Sequence, residues 1–122
     1  MKWRKIGKIF DPLELRGFNL TAALMPTSQT LNSETGLIRV YFSPRDRDNR
    51  SEIRSFDFFV DEPFDIFNIS PEPILSLGRL GAFDDAGITI GSVCASNDKR
   101  LVFYTGWNLT QSVPFNNSIG VA

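Results

Sequence analysis

The chain has 122 residues, of which 42% are hydrophobic, and a net charge of −1 from 13 basic and 14 acidic side chains. This length suits a single domain, and the near-neutral charge predicts neither a nucleic-acid nor a membrane partner. Histidine is absent, which excludes Ser-His-Asp and Cys-His catalysis and every histidine-containing metal site. The single cysteine, Cys94, excludes an internal disulfide and a thiolate cluster, so we expect neither a metal nor a cofactor.

The first residues carry the positive charges of a signal peptide but lack the apolar run that should follow them. No stretch approaches the roughly 20 apolar residues that a membrane-spanning helix needs. We therefore expect a cytoplasmic protein.

Short runs rich in β-branched and aromatic residues predict strands along the whole chain, and helical periodicity is nearly absent. The segment Asp61-Glu62-Pro63 is expected to end the third strand, and residues 96–100 are expected to form a hairpin turn. Cys94 falls in an apolar strand and is expected to be an inert buried thiol. In chain order, the predicted strands are 20–30, 37–42, 51–60, 66–69, 74–77, 88–95, 101–105 and 116–119.

The two halves of the sequence resemble each other. The run 37–43 and the later 49–53 are echoed by 101–106 and 116–119, with Tyr41 and Tyr104 lying 63 positions apart. The alternative is a coincidence between two β-hairpins. Four strands in about 60 residues are typical of a propeller blade. The repeat predicts one all-β domain over 1–122, built of antiparallel, four-stranded, blade-like sheets that form about two blades of a partial propeller. The first unit covers about 5–70 and the second, incomplete unit about 71–122.

Several segments resemble the blades of five-bladed β-propeller glycosidases, the relatives of invertase, levansucrase, arabinanase and mannoside phosphorylase. The resemblance covers nearly the whole chain, and it implies a carbohydrate ligand and glycosidase-like chemistry. The segments that carry it are Gly81-Ala82-Phe83-Asp84-Asp85-Ala86-Gly87, Phe103-Tyr104-Thr105-Gly106-Trp107 and Val40-Tyr41-Phe42-Ser43-Pro44-Arg45-Asp46.

Two features depart from that family. Five blades need about 300 residues, and this chain supplies fewer than two blades. Relatives with known chemistry place a catalytic aspartate on the innermost strand of the first blade, whereas residues 21–27 here contain no carboxylate. The second departure weighs against an enzyme.

Glycoside hydrolysis uses two carboxylates, and the candidate catalytic residues are Asp46, Asp84 and Asp85. The alternative for Asp84 and Asp85 is a glycine-containing turn capped by aspartate side chains. The alternative for Asp46 is a solvated loop in which the charges of residues 45–50 pair with one another. Spacing along the chain connects none of these carboxylates into a catalytic pair.

The candidate ligand-binding residues combine charged and aromatic groups. The forked guanidinium groups of Arg45 and Arg47 suit sugar hydroxyls or phosphate. Trp107, expected in a loop with Asn108, suits stacking on a sugar or a contact with another subunit, and Asp85 is expected to take part.

These features predict a non-catalytic, self-associating, propeller-derived β protein, with a carbohydrate or small polar ligand between subunits. The self-association, as a homo-oligomer, is expected because a two-blade piece leaves a strand edge and an apolar face open. The alternatives are a glycoside hydrolase or phosphorylase whose site is assembled by oligomerisation, and a truncated relative with no activity of its own.

Overall fold

The computed structural model describes residues 2–15 and 19–122 and is all-β, with two antiparallel sheets and one short 3-10 helix at Pro12–Glu14 in the described part. Met1 and residues 16–18 lie outside the described residues, and residues 16–18 belong to the first predicted unit. The strands are β1 (Thr21–Asn32), β2 (Leu37–Arg45), β3 (Arg54–Phe59), β4 (Glu62–Phe67), β5 (Gly87–Ser96), β6 (Lys99–Leu109) and β7 (Phe115–Val121).

The first sheet is a four-stranded meander in the order β1-β2-β3-β4. The turn between β1 and β2 is stabilised by the Asn32 side chain, whose oxygen accepts the backbone N–H groups of Glu34 and Thr35 at 2.9 and 3.0 Å. Gly36 ends the turn with a φ of 68°, a conformation that glycine adopts without strain. Residues 54–57 of β3 are buried on both faces of the sheet.

The end of the third strand differs from the sequence prediction. The chain reverses at residues 60–61, and Glu62 and Pro63 already belong to β4 instead of closing a strand. Proline is tolerated there because β4 is an edge strand, whose outward groups need no ladder partner. The strand predicted at 74–77 is reduced to a single bridge between Leu75 and Ile53.

The second sheet has three strands, in the order β5-β6-β7. The hairpin between β5 and β6 turns through Asn97 and Asp98, and Asn97 adopts the left-handed conformation at φ 52° that asparagine tolerates. A register shift between Ile90 and Ser92 marks a bulge. Beyond it β5 projects from the core, and its residues other than Val93 are exposed. Cys94 lies in this projecting part and is exposed, so the prediction of a buried thiol is wrong.

The two sheets share one core. Tyr41 and Ile53 of the first unit pack with Ile88 and Ile90 of β5. Hydrogen bonds also cross between the sheets: the Ile88 N–H donates to the Ser51 carbonyl at 2.8 Å, and the Ile90 N–H donates to Ser43 Oγ at 2.9 Å. The start of β5 is therefore fixed against the first sheet by both apolar and polar contacts.

The sequence repeat aligns residues that lie 63 positions apart, but the aligned side chains do not point in equivalent directions. Tyr41 belongs to the shared core, and Tyr104 packs against that core from the other sheet. Equivalent residues of successive blades would point the same way around the array, whereas both of these side chains contact the one core that the two sheets share. Because side chains alternate along a strand, a shift of one residue in the alignment accounts for the difference.

The N-terminal segment covers the far side of the first sheet. The Phe10 ring centroid lies 4.8 Å from those of both Phe42 and Phe56, and the last two side chains are buried. Within 2–15 and 19–122, no helix is long and apolar enough to cross a bilayer.

Candidate functional site

A pocket of about 780 Å³ opens where one end of the second sheet meets the loop that follows β2. Its wall combines aromatic, aliphatic, cationic and anionic side chains. The lining residues are Arg45, Asp48, Asn49, Arg50, Leu80, Asp85, Ala86, Thr89, Trp107, Leu109, Pro114, Phe115 and Asn117.

The loop after β2 is held in shape by Asp46. Its Oδ1 accepts the backbone N–H groups of Asp48 and Arg50, both at 2.9 Å, and its Oδ2 pairs with Arg50 Nε at 3.1 Å. Arg50 also pairs with Asp48 at 3.1 Å. The carboxylate of Asp46 is thus engaged within its own loop, as the paired-charge alternative describes, and Asp46 is not among the lining residues.

Arg45 presents a guanidinium group to the pocket. Its Nη1 donates to Asn49 Oδ1 at 2.6 Å, and among the described residues no carboxylate lies within ion-pair distance of it. Arg47, two residues later, lies outside the lining and donates to Asn19 Oδ1 at 3.0 Å. The two arginines that the sequence grouped together therefore lie in different surroundings.

The neighbouring carboxylates Asp84 and Asp85 are also separated. Asp85 lines the pocket, and its Oδ2 accepts the Gly81 N–H at 2.8 Å. Asp84 is buried behind the wall, where it accepts the Tyr104 hydroxyl at 2.9 Å. Burial of Tyr104, with a smaller contribution from Asp84, raises the pKa of the Tyr104 phenol. Asp84 therefore holds Tyr104 in place through this hydrogen bond and does not line the pocket.

Trp107 lies inside strand β6 and not in the expected loop, because β6 continues to Leu109. Its ring packs over the cross-strand neighbour Gly87, where a Cβ atom would collide with the indole, and its Nε1 donates to Ser51 Oγ at 3.4 Å. The Phe115 ring lies 6.2 Å away, in an edge-on arrangement. The next residue, Asn108, is not among the lining residues.

The pocket therefore brings together Arg45, Asp85 and Trp107 from the sequence-predicted set and leaves out Arg47 and Asn108. The sequence analysis missed Phe115 and Asn117. A signal for both was available: a return strand at 115–121 would pair with β6 and place them beside Leu109 and Trp107.

The first strand of the first sheet adds no acid to the site. Residues 21–27 of β1 carry no carboxylate. Among residues 2–15 and 19–122, no group of three or more Cys, Asp or Glu side chains is placed to hold a metal ion. Chemistry at the pocket would depend on its own arginine, aspartate and aromatic groups.

Two curated proteins match this chain, one from each of two strains of Mycobacterium tuberculosis (CDC 1551 / Oshkosh and ATCC 25618 / H37Rv). Both are uncharacterized proteins that are 43% identical to the chain over all 122 residues. The chain spans only 40% of the length of these relatives. No family model and no solved structure matches it.

Proposed function

We propose that this chain is a non-catalytic, propeller-derived β protein that binds a carbohydrate, or another small polar ligand, in the pocket beside Trp107. The observation that carries the proposal is the presence of Arg45, Asp85 and Trp107 in the wall of one pocket. Its volume of about 780 Å³ lies in the range of small-molecule sites, roughly 300–1,000 Å³.

The composition of the wall favours a neutral, polyhydroxylated ligand. Two arginines and two aspartates line the pocket, so their formal charges cancel. A sugar hydroxyl both donates and accepts, and this wall offers guanidinium donors and carboxylate acceptors side by side. The faces of Trp107 and Phe115 supply the flat apolar surface on which a pyranose ring can pack.

The length of the relatives supports the propeller part of the proposal. With 122 residues in two sheets, each sheet with its loops takes about 61 residues. Because 122 residues make up 40% of each relative, the relatives are about 305 residues long, which is room for five such units.

The decisive measurement is calorimetric titration of the purified chain with a panel of neutral oligosaccharides. Arg45→Gln is expected to weaken binding by at least about tenfold, because a charged hydrogen bond contributes roughly 1.5–3 kcal/mol. Arg47→Gln is the matched control, since Arg47 lies in the same loop but outside the wall, and it should leave binding unchanged. An absence of saturable binding across the panel, or equal losses in both variants, would refute the proposal.

A second function is favoured by one observation: the carboxylates Asp48 and Asp85 both line the pocket. Glycoside hydrolysis needs two carboxyl groups flanking the bond, and a phosphorylase would use phosphate in place of water. Aryl glycosides supplied with and without phosphate test this possibility. Turnover that disappears in Asp85→Asn would establish the enzyme over the binding protein.

A further inference from the structure

The charge of the chain is unevenly distributed, although its sum is close to zero. Residues 2–8 hold four of the 13 basic side chains and no acidic one, which is a charge of +4. Residues 9–122 hold the other nine basic side chains and all 14 acidic ones, which is a charge of −5. A local excess of this kind indicates contact with an anionic partner, and the total charge conceals it.

Three of the four cations in residues 2–8 have no counter-charge nearby. Lys8 pairs with Asp11, and the Nζ and Oδ2 atoms lie 2.8 Å apart. In the described part of the chain, no carboxylate lies within ion-pair distance of Lys2, Arg4 or Lys5. All three side chains are exposed, so their charge is available to a partner.

Exposed apolar side chains lie between these charges. Trp3 is 91% exposed and Ile6 is 56% exposed. The ring of Phe64, which is 59% exposed on strand β4, lies beside Gly7, where a Cβ atom would come within 3.2 Å of Phe64 Cε1. Residues 2–8 and Phe64 therefore form one basic–apolar surface.

The packing of the chain keeps the basic–apolar surface in place. Phe10, two residues after the segment, has its ring centroid 4.8 Å from those of Phe42 and Phe56, whose side chains are buried. A segment that such contacts already order loses less conformational entropy on binding than a disordered one.

We propose that the basic–apolar surface binds a membrane that contains anionic lipids. Such a membrane offers negative headgroups above an apolar layer, and this surface offers basic charges interleaved with exposed apolar side chains. Tryptophan favours the boundary between headgroups and hydrocarbon, which suits Trp3. The stems of lysine and arginine can lie along the apolar layer while their charges remain in water.

Single-stranded nucleic acid is another polyanion that binds basic and aromatic side chains, and two features favour the membrane over it. Three of the four cations are lysines, whereas nucleic-acid recognition favours the planar guanidinium group of arginine. Bases stack on aromatic rings, and Ile6 offers no ring. An exposed isoleucine can instead insert among lipid chains.

The experiment is co-sedimentation of the full chain with lipid vesicles in about 0.1 M salt. Vesicles of phosphatidylcholine with about 30% phosphatidylserine should bind the chain at least about tenfold more tightly than vesicles of phosphatidylcholine alone. Arg4→Gln/Lys5→Gln should weaken binding about 25-fold, because each basic residue near an anionic surface contributes about fivefold.

Lys99→Gln/Arg100→Gln is the matched control, because it removes the same two charges from exposed positions at the start of β6. It should bind the anionic vesicles like the natural chain. Circular dichroism confirms that both double variants fold. Neither pair of residues lines the pocket, so these results are independent of the proposed carbohydrate binding.

Tryptophan fluorescence tests the apolar part of the contact. On anionic vesicles, the emission of the natural chain should shift to shorter wavelength as Trp3 enters the apolar layer. Trp3→Phe keeps Trp107 and should show no shift. A chain whose emission does not shift, or a shift that persists in Trp3→Phe, overturns the proposal.

The binding data decide the remaining outcomes. The proposal is overturned if the anionic vesicles do not bind the chain, or if both double variants lose binding equally. Tighter binding to single-stranded RNA than to these vesicles in the same buffer overturns it in favour of nucleic acid. Binding that Arg4→Gln/Lys5→Gln weakens and Lys99→Gln/Arg100→Gln preserves, together with the shift that depends on Trp3, supports it.

Discussion

Asp57 is the buried carboxylate with the strongest partners in the described part of the chain. Its two oxygens accept Arg39 Nε at 2.7 Å and Nη2 at 2.8 Å, and Asn68 donates to Oδ2 at 3.2 Å. Its side chain is only 2% exposed, whereas that of Arg39 is 28% exposed. The bond from Arg39 lowers the pKa of Asp57 in the folded protein, against the opposing effect of burial.

This geometry predicts a pH-dependent contribution to stability. A carboxylate whose pKa is lowered by folding stabilises the protein above its unfolded pKa of about 3.9, and the contribution is lost as the pH falls through the folded pKa. Asp57→Asn should lower the free energy of unfolding at pH 7 by about 3 kcal/mol, since it leaves Arg39 without its counter-charge. It should also flatten the loss of stability below about pH 4. Denaturant titrations from pH 2 to 7 measure both effects.

Asp65→Asn is the control for this experiment, because Asp65 is an exposed carboxylate on the neighbouring strand β4. It should leave the free energy of unfolding within about 0.5 kcal/mol of the natural chain. If the natural chain and Asp57→Asn lost stability with falling pH in the same way, the prediction that Asp57 causes part of this loss would be wrong.

At the residue scale, the sequence could nominate side chains for the pocket but could not choose between neighbours. Asp84 and Asp85 are adjacent, yet one is bonded to Tyr104 behind the wall and the other lines the pocket. Trp107 and Asn108 differ in the same way, because consecutive strand residues point to opposite faces. For Trp107 and Asn108 the choice depends on strand register, which becomes known only when the pairing is known, and for Asp84 and Asp85 it depends on the path of the loop before β5.

At the scale of single elements, β1 is the irregular strand of the first sheet. Its pairing with β2 shifts register between Thr21 and Leu24 and again between Leu24 and Thr27. Two of its residues adopt positive φ, Ala22 at 56° and Met25 at 48°. Such conformations are unfavourable for residues with a Cβ atom, and they accompany the bulges that bend this strand.

The neighbours Ala22 and Ala23 therefore predict opposite effects of the same substitution. Ala22→Gly should raise the free energy of unfolding by about 1 kcal/mol, because glycine adopts positive φ without strain. Ala23→Gly should lower it by about 0.5–1 kcal/mol, since Ala23 is not among the residues with positive φ and glycine only adds flexibility there. Thermal unfolding of both variants tests the pair. A loss of stability in both would show that β1 is not strained at Ala22.

The elements that sequence reasoning located best are those with local signals. β2 and the β5–β6 hairpin have dense β-branched and aromatic runs and an Asn-Asp turn, and they form near the expected positions. The differences are that β6 continues to Leu109 and that the turn predicted at 96–100 is shortened to residues 97–98. The segment 74–77 has a similar apolar run but follows Pro71 and Pro73, and its pairing is limited to one bridge, in which Ile74 and Leu75 bond to Ile53. Proline lacks the N–H group that a ladder needs, so composition alone overestimated this segment.

At the scale of the whole molecule, the sequence indicated two similar units but not how they meet. The 63-residue alignment treats Tyr41 and Tyr104 as equivalent, whereas the packing places both between the sheets. Pattern matching is insensitive to a shift of one residue, but side-chain direction is reversed by it. The all-β class could therefore be inferred from the chain, while the faces that the two sheets present to each other depend on the tertiary packing.

The shared core makes a prediction about cooperativity. Ile88 is fully buried, it packs with Tyr41 and Ile53 of the first unit, and its N–H group donates to Ser51. Ile88→Ala should lower the free energy of unfolding by about 3 kcal/mol, from lost burial and the cavity left behind. Because the contacts cross between the sheets, amide exchange should accelerate in β2 and β3 as well as in β5 and β6.

Ile119→Ala is the matched control, studied at a concentration of about 2 μM, because Ile119 is 85% exposed on the other side of the second sheet. It should change the free energy of unfolding by less than about 0.5 kcal/mol. Faster exchange confined to β5–β7 in Ile88→Ala would mean that the two sheets unfold separately. One cooperative transition, with both sheets losing protection together, is what a core built from both of them requires.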